Sequence, residues 1–434
     1  LLYPVLAGWS DTVIDLFEHL CYFNVMDTLQ KLARASGEAI FEADDGDNPI
    51  LLPPRSQHAT ACGWTKTEIQ AVYGQKSHTE IVEAKGHPIP IHLAAVPGGR
   101  RFPLLKVMLT TACERDCLYC PFQAGRDHRR VTFKPDELAE VVIRAHEVGW
   151  IQGVFLSTGL FNGGVNTQNK LLDCAEILRN KLSYDGYLHL KLMPGVEFGQ
   201  VLRAMQFADR VSTNLEAPNA QRLSRLAPQK NFESELLNPL IWTERIRQSN
   251  PGQLGWRGYW PSSSTQFVVG PAHETDVELL STVEHLYRRL GLQRVYFEAF
   301  SPVKGTTMES YPPENPLRQQ RLYEASFLLR DYGFKLEELP FTTDGRLPLN
   351  NDPKRAYADR VLREMPIELN LAEREQLLRV PGIGPRTADK LLALRLRERL
   401  KDFDLLRGQR LITDRSAPYI TINGRRPSFQ QELF

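Results

Sequence analysis

The sequence has no run near the ~20 consecutive apolar residues that a membrane-spanning helix needs, so no membrane partner is expected. Cysteine is sparse, six in 434 residues. A secreted disulfide scaffold would be shorter and richer in cysteine, and a reducing, cytoplasmic compartment is expected instead. Net charge is almost absent, at +1, so the chain as a whole signals no partner. Internal repeats and low-complexity tracts are missing. The opening LLYPVLAGWS has no basic n-region and is followed by Asp11 and Asp15, unlike a signal peptide. No methionine stands at position 1, and Met26, just before DTLQKLARA, is a candidate natural start.

What is present is ordinary in bulk and uneven in detail. The chain is 42% hydrophobic and 24% charged, as globular proteins are, and is long enough for one large domain or two to three smaller ones. Between Arg374 and Arg426 stand 13 Lys/Arg against 6 Asp/Glu. A basic segment on a mildly acidic body suggests a polyanion partner.

Residues 1–100 carry little pattern beyond a helical DTLQKLARA and a loop-like DDGDNPILLPPRSQ. Over 101–340 short apolar runs alternate with amphipathic stretches. LLKVMLT, GVFLS, YLHLKLM, RVSTNLE, TQFVVG and RVYFEAFSP read as six strands, separated by helical segments such as PDELAEVVIRAHEVG and NKLLDCAEILRNKL. Such alternation predicts an α/β fold, a partial (β/α)6 barrel with parallel strands and helices outside. Ligands of such folds sit past the C-terminal ends of the strands. The long connection 225–264 carries Trp256, Arg257, Tyr259 and Trp260, which either pack among themselves, the preferred reading, or stack on a flat substrate. Residues 341–370 read as a linker that becomes helical, and 371–434 as a small all-α domain.

The chemistry concentrates in Cys113, Cys117 and Cys120, spaced C-x3-C-x2-C directly after a strand. Thiolates bind soft metals and iron–sulfur clusters. Structural zinc normally wants four protein ligands, and His128 is the one close substitute for a fourth cysteine. A [4Fe–4S] cluster on three thiolates leaves one iron open to the amino and carboxylate groups of a methionine-derived ligand. Cys21, Cys62 and Cys174 are far apart in sequence and read as packed thiols.

CERDCLYC resembles the cluster loop of the radical S-adenosylmethionine superfamily, with Tyr119 in the aromatic slot before the last cysteine. The resemblance implies a [4Fe–4S] cluster, S-adenosyl-L-methionine, an electron donor, and reductive cleavage to methionine and a 5′-deoxyadenosyl radical. It implies that the Tyr119 ring packs near the adenine. Where the superfamily often has Gly-Gly-Glu to hold the amino group, this chain has Ser157, Thr158 and Gly159, a departure that leaves backbone carbonyls or hydroxyls for the task. Asn214 and Glu216 match ribose or carboxylate contacts at the fourth strand, or else are a solvated strand end. Val269 and Gly270 match the backbone along the adenine. His189 and Lys191 share one face of the third strand and either meet a carboxylate or form a core pair.

LLRVPGIGPRTADKLLALR resembles a helix–hairpin–helix DNA-binding motif. Gly382 and Gly384 permit a tight turn and close approach to phosphate, Ile383 anchors the hairpin, and N–H groups at the start of the next helix bind anions. Arg386 and Lys390 add charge, and Arg379, Arg395, Arg397 and Arg399 extend it. Such contacts hold phosphate and carry no base information; a protein-docking role is the alternative.

With FLSTG, STNLEAP, LAPQK, VYFEAFSPVKGT, RLYEASFLLRDYGF and LPLNNDPK in the same order, residues 80–424 resemble one group of radical S-adenosylmethionine proteins with a C-terminal helix–hairpin–helix. That group is described as DNA modification or repair proteins with a uracil-DNA-glycosylase-like partner, and its substrate is not established. The implied partner is nucleic acid, DNA in that group. A rival reading is a non-catalytic iron–sulfur scaffold or redox sensor that recruits a repair partner to DNA.

Overall fold

The computed structural model describes residues 25–38, 79–84, 87–96 and 100–428. Cys21, Cys62 and the DDGDNPILLPPRSQ stretch lie outside the described residues. The DTLQKLARA segment falls within helix α1 (Val25–Glu38).

One eight-stranded sheet carries the larger part of the fold, in the order β1 (Thr79–Ala84), β2 (His87–Val96), β3 (Arg100–Met108), β4 (Gly153–Ser157), β5 (Tyr187–Lys191), β6 (Arg210–Ser212), β7 (Ser262–Val269) and β8 (Arg294–Ala299). From β3 to β8 all neighbours are parallel, giving the six-stranded partial barrel that the alternation predicts. A hairpin with no counterpart in the sequence pattern adds β1 and β2 antiparallel along the β3 edge. Strand β3 also starts at Arg100, four residues before the expected LLKVMLT, because β2 supplies a partner there.

Side chains alternate across the strands and sort the two faces. Leu105 and Val107 of β3, Val154 and Leu156 of β4, Leu188 and Leu190 of β5, and Val211 of β6 share one buried cluster with the outer helices. Those helices are α2 (Pro135–Glu147), α3 (Gly164–Glu176) and α4 (Phe198–Phe207), contributing Leu138, Val142, Leu171, Leu172 and Val201. Each such side chain, fully buried, contributes roughly 1.5–3 kcal/mol. Helix α2 begins at Pro135 with Asp136 and Glu137 in its first turn and ends with Arg144 and His146, signs that suit the helix dipole at both ends. The opposite face carries Lys106, Phe155, Ser157, His189, Lys191 and Ser212. Phe155 stacks on His189 at 4.2 Å between ring centres, and His189 Nε2 lies 2.9 Å from Ser212 Oγ.

The long connection after β6 forms α5 (Asn238–Ser249), and its aromatics take separate places, with Tyr259 exposed. Trp256 lies under the Arg179 guanidinium at 4.0 Å, and Trp260 donates to Asn250 O at 3.1 Å.

The chain groups into two compact units, residues 1–273 with 290–314, and 274–289 with 315–434. The second contains α6 (Asp276–Leu290), α7 (Pro316–Asp331), α8 (Pro353–Val361), α9 (Arg374–Leu377) and α10 (Pro385–Arg397). Arg318 is fully buried there, bonded to Asp276 at 2.8 Å and to Glu274 at 3.2 Å. A separate core joins Leu362, Leu377, Val380, Ile383, Leu391, Leu411 and Ile420. This unit is helical except for a two-residue parallel pair, β9 (Ile367–Glu368) with β10 (Ile420–Thr421).

Candidate functional site

Three other loops of the barrel unit hold the cysteine loop past the C-terminal end of β3. Glu114 accepts from Asn162 N at 3.1 Å and Gly163 N at 3.0 Å, beyond β4. Leu118 N donates to Leu226 O at 2.8 Å, beyond β6. Met308 N donates to Leu118 O at 3.2 Å, and Gln123 meets Thr307 at 3.0 Å, both beyond β8. Arg130 closes the loop on itself through the carbonyls of Thr111, Phe122 and Gln123.

Cys113 and Cys120 pack against Met108 and Phe122, and Cys117 is buried. All three sulfurs lie within electrostatic reach of one another. Burial pushes the Cys117 thiol up, a rise moderated by the Lys230 ammonium. Burial also pushes the Cys120 thiol up, against the Phe122 N–H that approaches its Sγ at 3.4 Å. Such thiols stay protonated until a metal takes the proton's place. Among the described residues no three His, Cys, Asp or Glu side chains are arranged to hold a single metal ion. A cubane spreads its thiolates over different irons and needs no such convergence. Three neighbouring thiols, with an N–H and an ammonium near two of them, are a donor set that fits an iron–sulfur cluster.

Tyr119 lies within electrostatic reach of the Glu216 carboxylate. Burial first, and that carboxylate second, hold its phenol well above the ordinary range. Glu216 is itself buried and 3.1 Å from Lys230 Nζ. Burial alone would lower the Lys230 ammonium, but the Cys117 sulfur and Glu216 outweigh it and hold it above the usual lysine value. Glu216 has a left-handed backbone, φ 64, unusual for a non-glycine residue and typical of functional sites. Asn214 Nδ2 donates to Gln266 at 3.4 Å. Val269 O accepts from Phe300 N at 3.0 Å, and Gly270 O from His273 N at 3.0 Å. Gly270 sits at φ +113 with Glu314 against it, where a Cβ would clash at 2.7 Å. Ser157 and Thr158 are buried, and Gly159 N donates to Thr110 O at 2.7 Å. In the sequence Lys230 stands out only as the last residue of the LAPQK match; nothing in its spacing from the cysteines marks it.

In the second unit the PGIG turn joins α9 to α10. Ile383 is completely buried in the local core, while Gly382, Arg386 and Lys390 are exposed. The two glycines differ, contrary to the equal role expected of them. Gly382 has φ +84, which glycine adopts without penalty. Gly384 is the extended N-cap of α10, φ −101, and a Cβ there would meet only Tyr332 Oη at 3.5 Å. Two arginines expected on the basic surface brace the unit instead. Arg379 pairs with Glu338 at 2.8 Å, and Arg395 donates to Leu369 O and Ala372 O at 3.2 and 2.6 Å. Arg397 and Arg399 are exposed.

Among solved structures the chain is similar to methylornithine synthase (PylB), with TM-score 0.41 and 15% identity over 52% of this chain and 61% of that one. It is similar to the FeFe-hydrogenase maturase HydG from Carboxydothermus hydrogenoformans, with TM-score 0.42 and 13% identity over 52% and 51%. A third likeness is to the cobalamin-dependent S-adenosylmethionine radical enzyme OxsB, with TM-score 0.30 and 13% identity over 68% and 45%. The chain thus spans less than two thirds of each of these proteins. No family model matches the sequence, and no curated protein matches it. The functional reading therefore rests on this chain's own residues. Among the described residues, no helix is long and apolar enough to cross a membrane.

Proposed function

We propose that the chain is a radical S-adenosylmethionine enzyme acting on nucleic acid in DNA modification or repair. The observation that carries this reading is the grouping of Cys113, Cys117 and Cys120 past the C-terminal end of the first parallel strand, held by three further loops of the same barrel. Three thiolates would hold a [4Fe–4S] cluster with one iron left without a protein ligand and open to S-adenosylmethionine. When bound, that pair supplies the reductive chemistry that releases methionine and a 5′-deoxyadenosyl radical. The Phe122 N–H and the Lys230 ammonium favour thiolate at Cys120 and Cys117. Lys106, His189 and Lys191, on the face turned away from the outer helices, suit an anionic group of the substrate.

In this reading residues 101–340 perform the reaction and 371–434 hold the nucleic acid, with 341–370 between them. The helix–hairpin–helix resemblance is supported by the turn at Gly382, the anchor Ile383 and the α10 N-terminus. The first-turn N–H groups of Arg386 and Thr387 precede the first bond of that helix, Ala388 N to Gly384 O at 2.8 Å, and suit a phosphate. An electron donor, a uracil-DNA-glycosylase-like partner and a cytoplasmic location complete the proposal. Anaerobic reconstitution followed by dithionite and S-adenosylmethionine should yield 5′-deoxyadenosine. Cluster-loaded protein that yields none under any reductant ends the catalytic claim and leaves a cluster-bearing scaffold.

A further inference from the structure

The Lys230 ammonium is brought to the cysteine loop by a segment strapped to that loop. Leu118 N donates to Leu226 O at 2.8 Å. Gln229 N donates to Asp116 Oδ1 at 3.3 Å. Arg115 reaches back to Gln229 O at 3.0 Å and to Glu235 at 2.5 Å. Lys230 N then turns onto Ala227 O at 3.0 Å. The side chain is 8% exposed, with Glu216 at 3.1 Å, and its charge reaches the Cys117 sulfur.

Glu216 is placed as firmly. Its N–H donates to Gln266 O at 2.9 Å and its carbonyl accepts from Val268 N at 2.8 Å. A left-handed backbone is disfavoured for a non-glycine residue, and these two bonds to β7 hold it there. An ammonium out of water is costly unless paired, and this one has two anionic partners, a carboxylate and a cysteine sulfur in its thiolate form.

We infer that Lys230 is a positioning residue that raises the reduction potential of the cluster on Cys113, Cys117 and Cys120, with Glu216 setting how much of its charge the Cys117 thiolate feels. The inference rests on the proposal that these cysteines hold a cluster. One electron from an external reductant makes the cluster more negative by one charge. A fixed cation at a thiolate ligand stabilises that reduced form, as hydrogen bonds and net charge around cluster sulfurs do generally.

The test is an EPR-monitored redox titration of the reconstituted full chain without S-adenosylmethionine, so that no catalytic turnover enters the readout. Lys230→Met should shift the midpoint to more negative potential at unchanged iron content, and Lys230→Arg should restore most of the shift. Glu216→Gln should move it the other way, to more positive potential. Midpoints equal to wild type in Lys230→Met and Glu216→Gln, with the cluster retained, overturn the inference. If Lys230→Met fails to hold iron, Glu216→Gln decides, and a midpoint at or below wild type overturns it. Loss of iron from both variants makes the pair a structural brace and overturns it too. Wild-type protein that loads no iron at all defeats the proposed function first, a result read before any potential is measured.

Discussion

Gly159 is where one added methyl group should reach the cysteine loop. A Cβ built on it falls 2.2 Å from Ala112 O and 2.9 Å from Ala112 C. A carbon needs roughly 3.2 Å or more from an oxygen it does not bond, so about 1 Å must be found. Neither side yields easily. Gly159 N is bonded to Thr110 O at 2.7 Å, and Thr158 Oγ1 to Gly159 O at 2.9 Å. Ala112 N is held by Thr110 Oγ1 at 3.1 Å. The displacement therefore passes along Ala112 to Cys113. Overpacking of this kind costs roughly 1–3 kcal/mol, which a large domain survives, while misplacement by about 1 Å can cost ~10²-fold in a reaction. Gly159→Ala should fold, as circular dichroism and thermal melting report, but should load less iron on anaerobic reconstitution. S-adenosylmethionine cleavage should fall further than iron content does. A Gly159→Ala protein with wild-type iron content and wild-type cleavage would refute the reasoning.

Gly382→Ala should destabilise the second unit by roughly 1–2 kcal/mol through its left-handed backbone, whereas Gly384→Ala should leave urea unfolding nearly unchanged and still weaken DNA binding; equal DNA affinity in Gly384→Ala would favour a protein-docking role. Arg386→Ala with Lys390→Ala should flatten the plot of log affinity against log salt by about 0.9 for each phosphate that is no longer neutralised. Arg318→Met strands the buried Glu274 and Asp276 and should cost about 3–5 kcal/mol, measurable by denaturant unfolding; a loss under about 1 kcal/mol would contradict the buried-pair reading. Lys354 donates to Ile383 O at 2.6 Å and lies 4.5 Å from the Tyr332 ring centre, and burial lowers its ammonium to about 7, with Asp352 opposing and Arg415 and Arg379 assisting the fall. Between that value and the ordinary lysine range the unfolded chain binds more protons, so stability should rise with pH across that window, and the cost of burial should be fully felt below it. Unfolding midpoints at several pH values should show this rise in wild type and not in Lys354→Met; parallel curves would refute it.

The barrel was legible because short, apolar-rich strand segments alternate with amphipathic helices, the order that a parallel sheet with helices outside requires. The β1–β2 hairpin was not. Strand β2 reads HPIPIHLAAV, and prolines at 88 and 90 argue against a strand. Within β2 only His92–Val96 pair with β3, so Pro88 and Pro90 occupy the stretch with a ladder partner on one side, where a missing N–H is tolerated. The three cysteines announced themselves by spacing. Lys230 did not, since it lies 110 residues beyond Cys120 in a loop whose path depends on bonds such as Leu118 N to Leu226 O. Arg379 and Arg395 looked like surface charge because a sequence count does not see carbonyls. The segment 402–424 ends in β10, paired with β9, a pairing across more than fifty residues that no local pattern encodes.

The central claim is an iron–sulfur cluster with one iron free of protein ligands. Metal analysis and low-temperature EPR of anaerobically prepared, dithionite-reduced protein, before and after adding S-adenosylmethionine, test it most directly. The account expects about four irons per chain and a spectrum that changes when S-adenosylmethionine binds the open iron. One zinc per chain, or an iron–sulfur spectrum indifferent to S-adenosylmethionine, would contradict it.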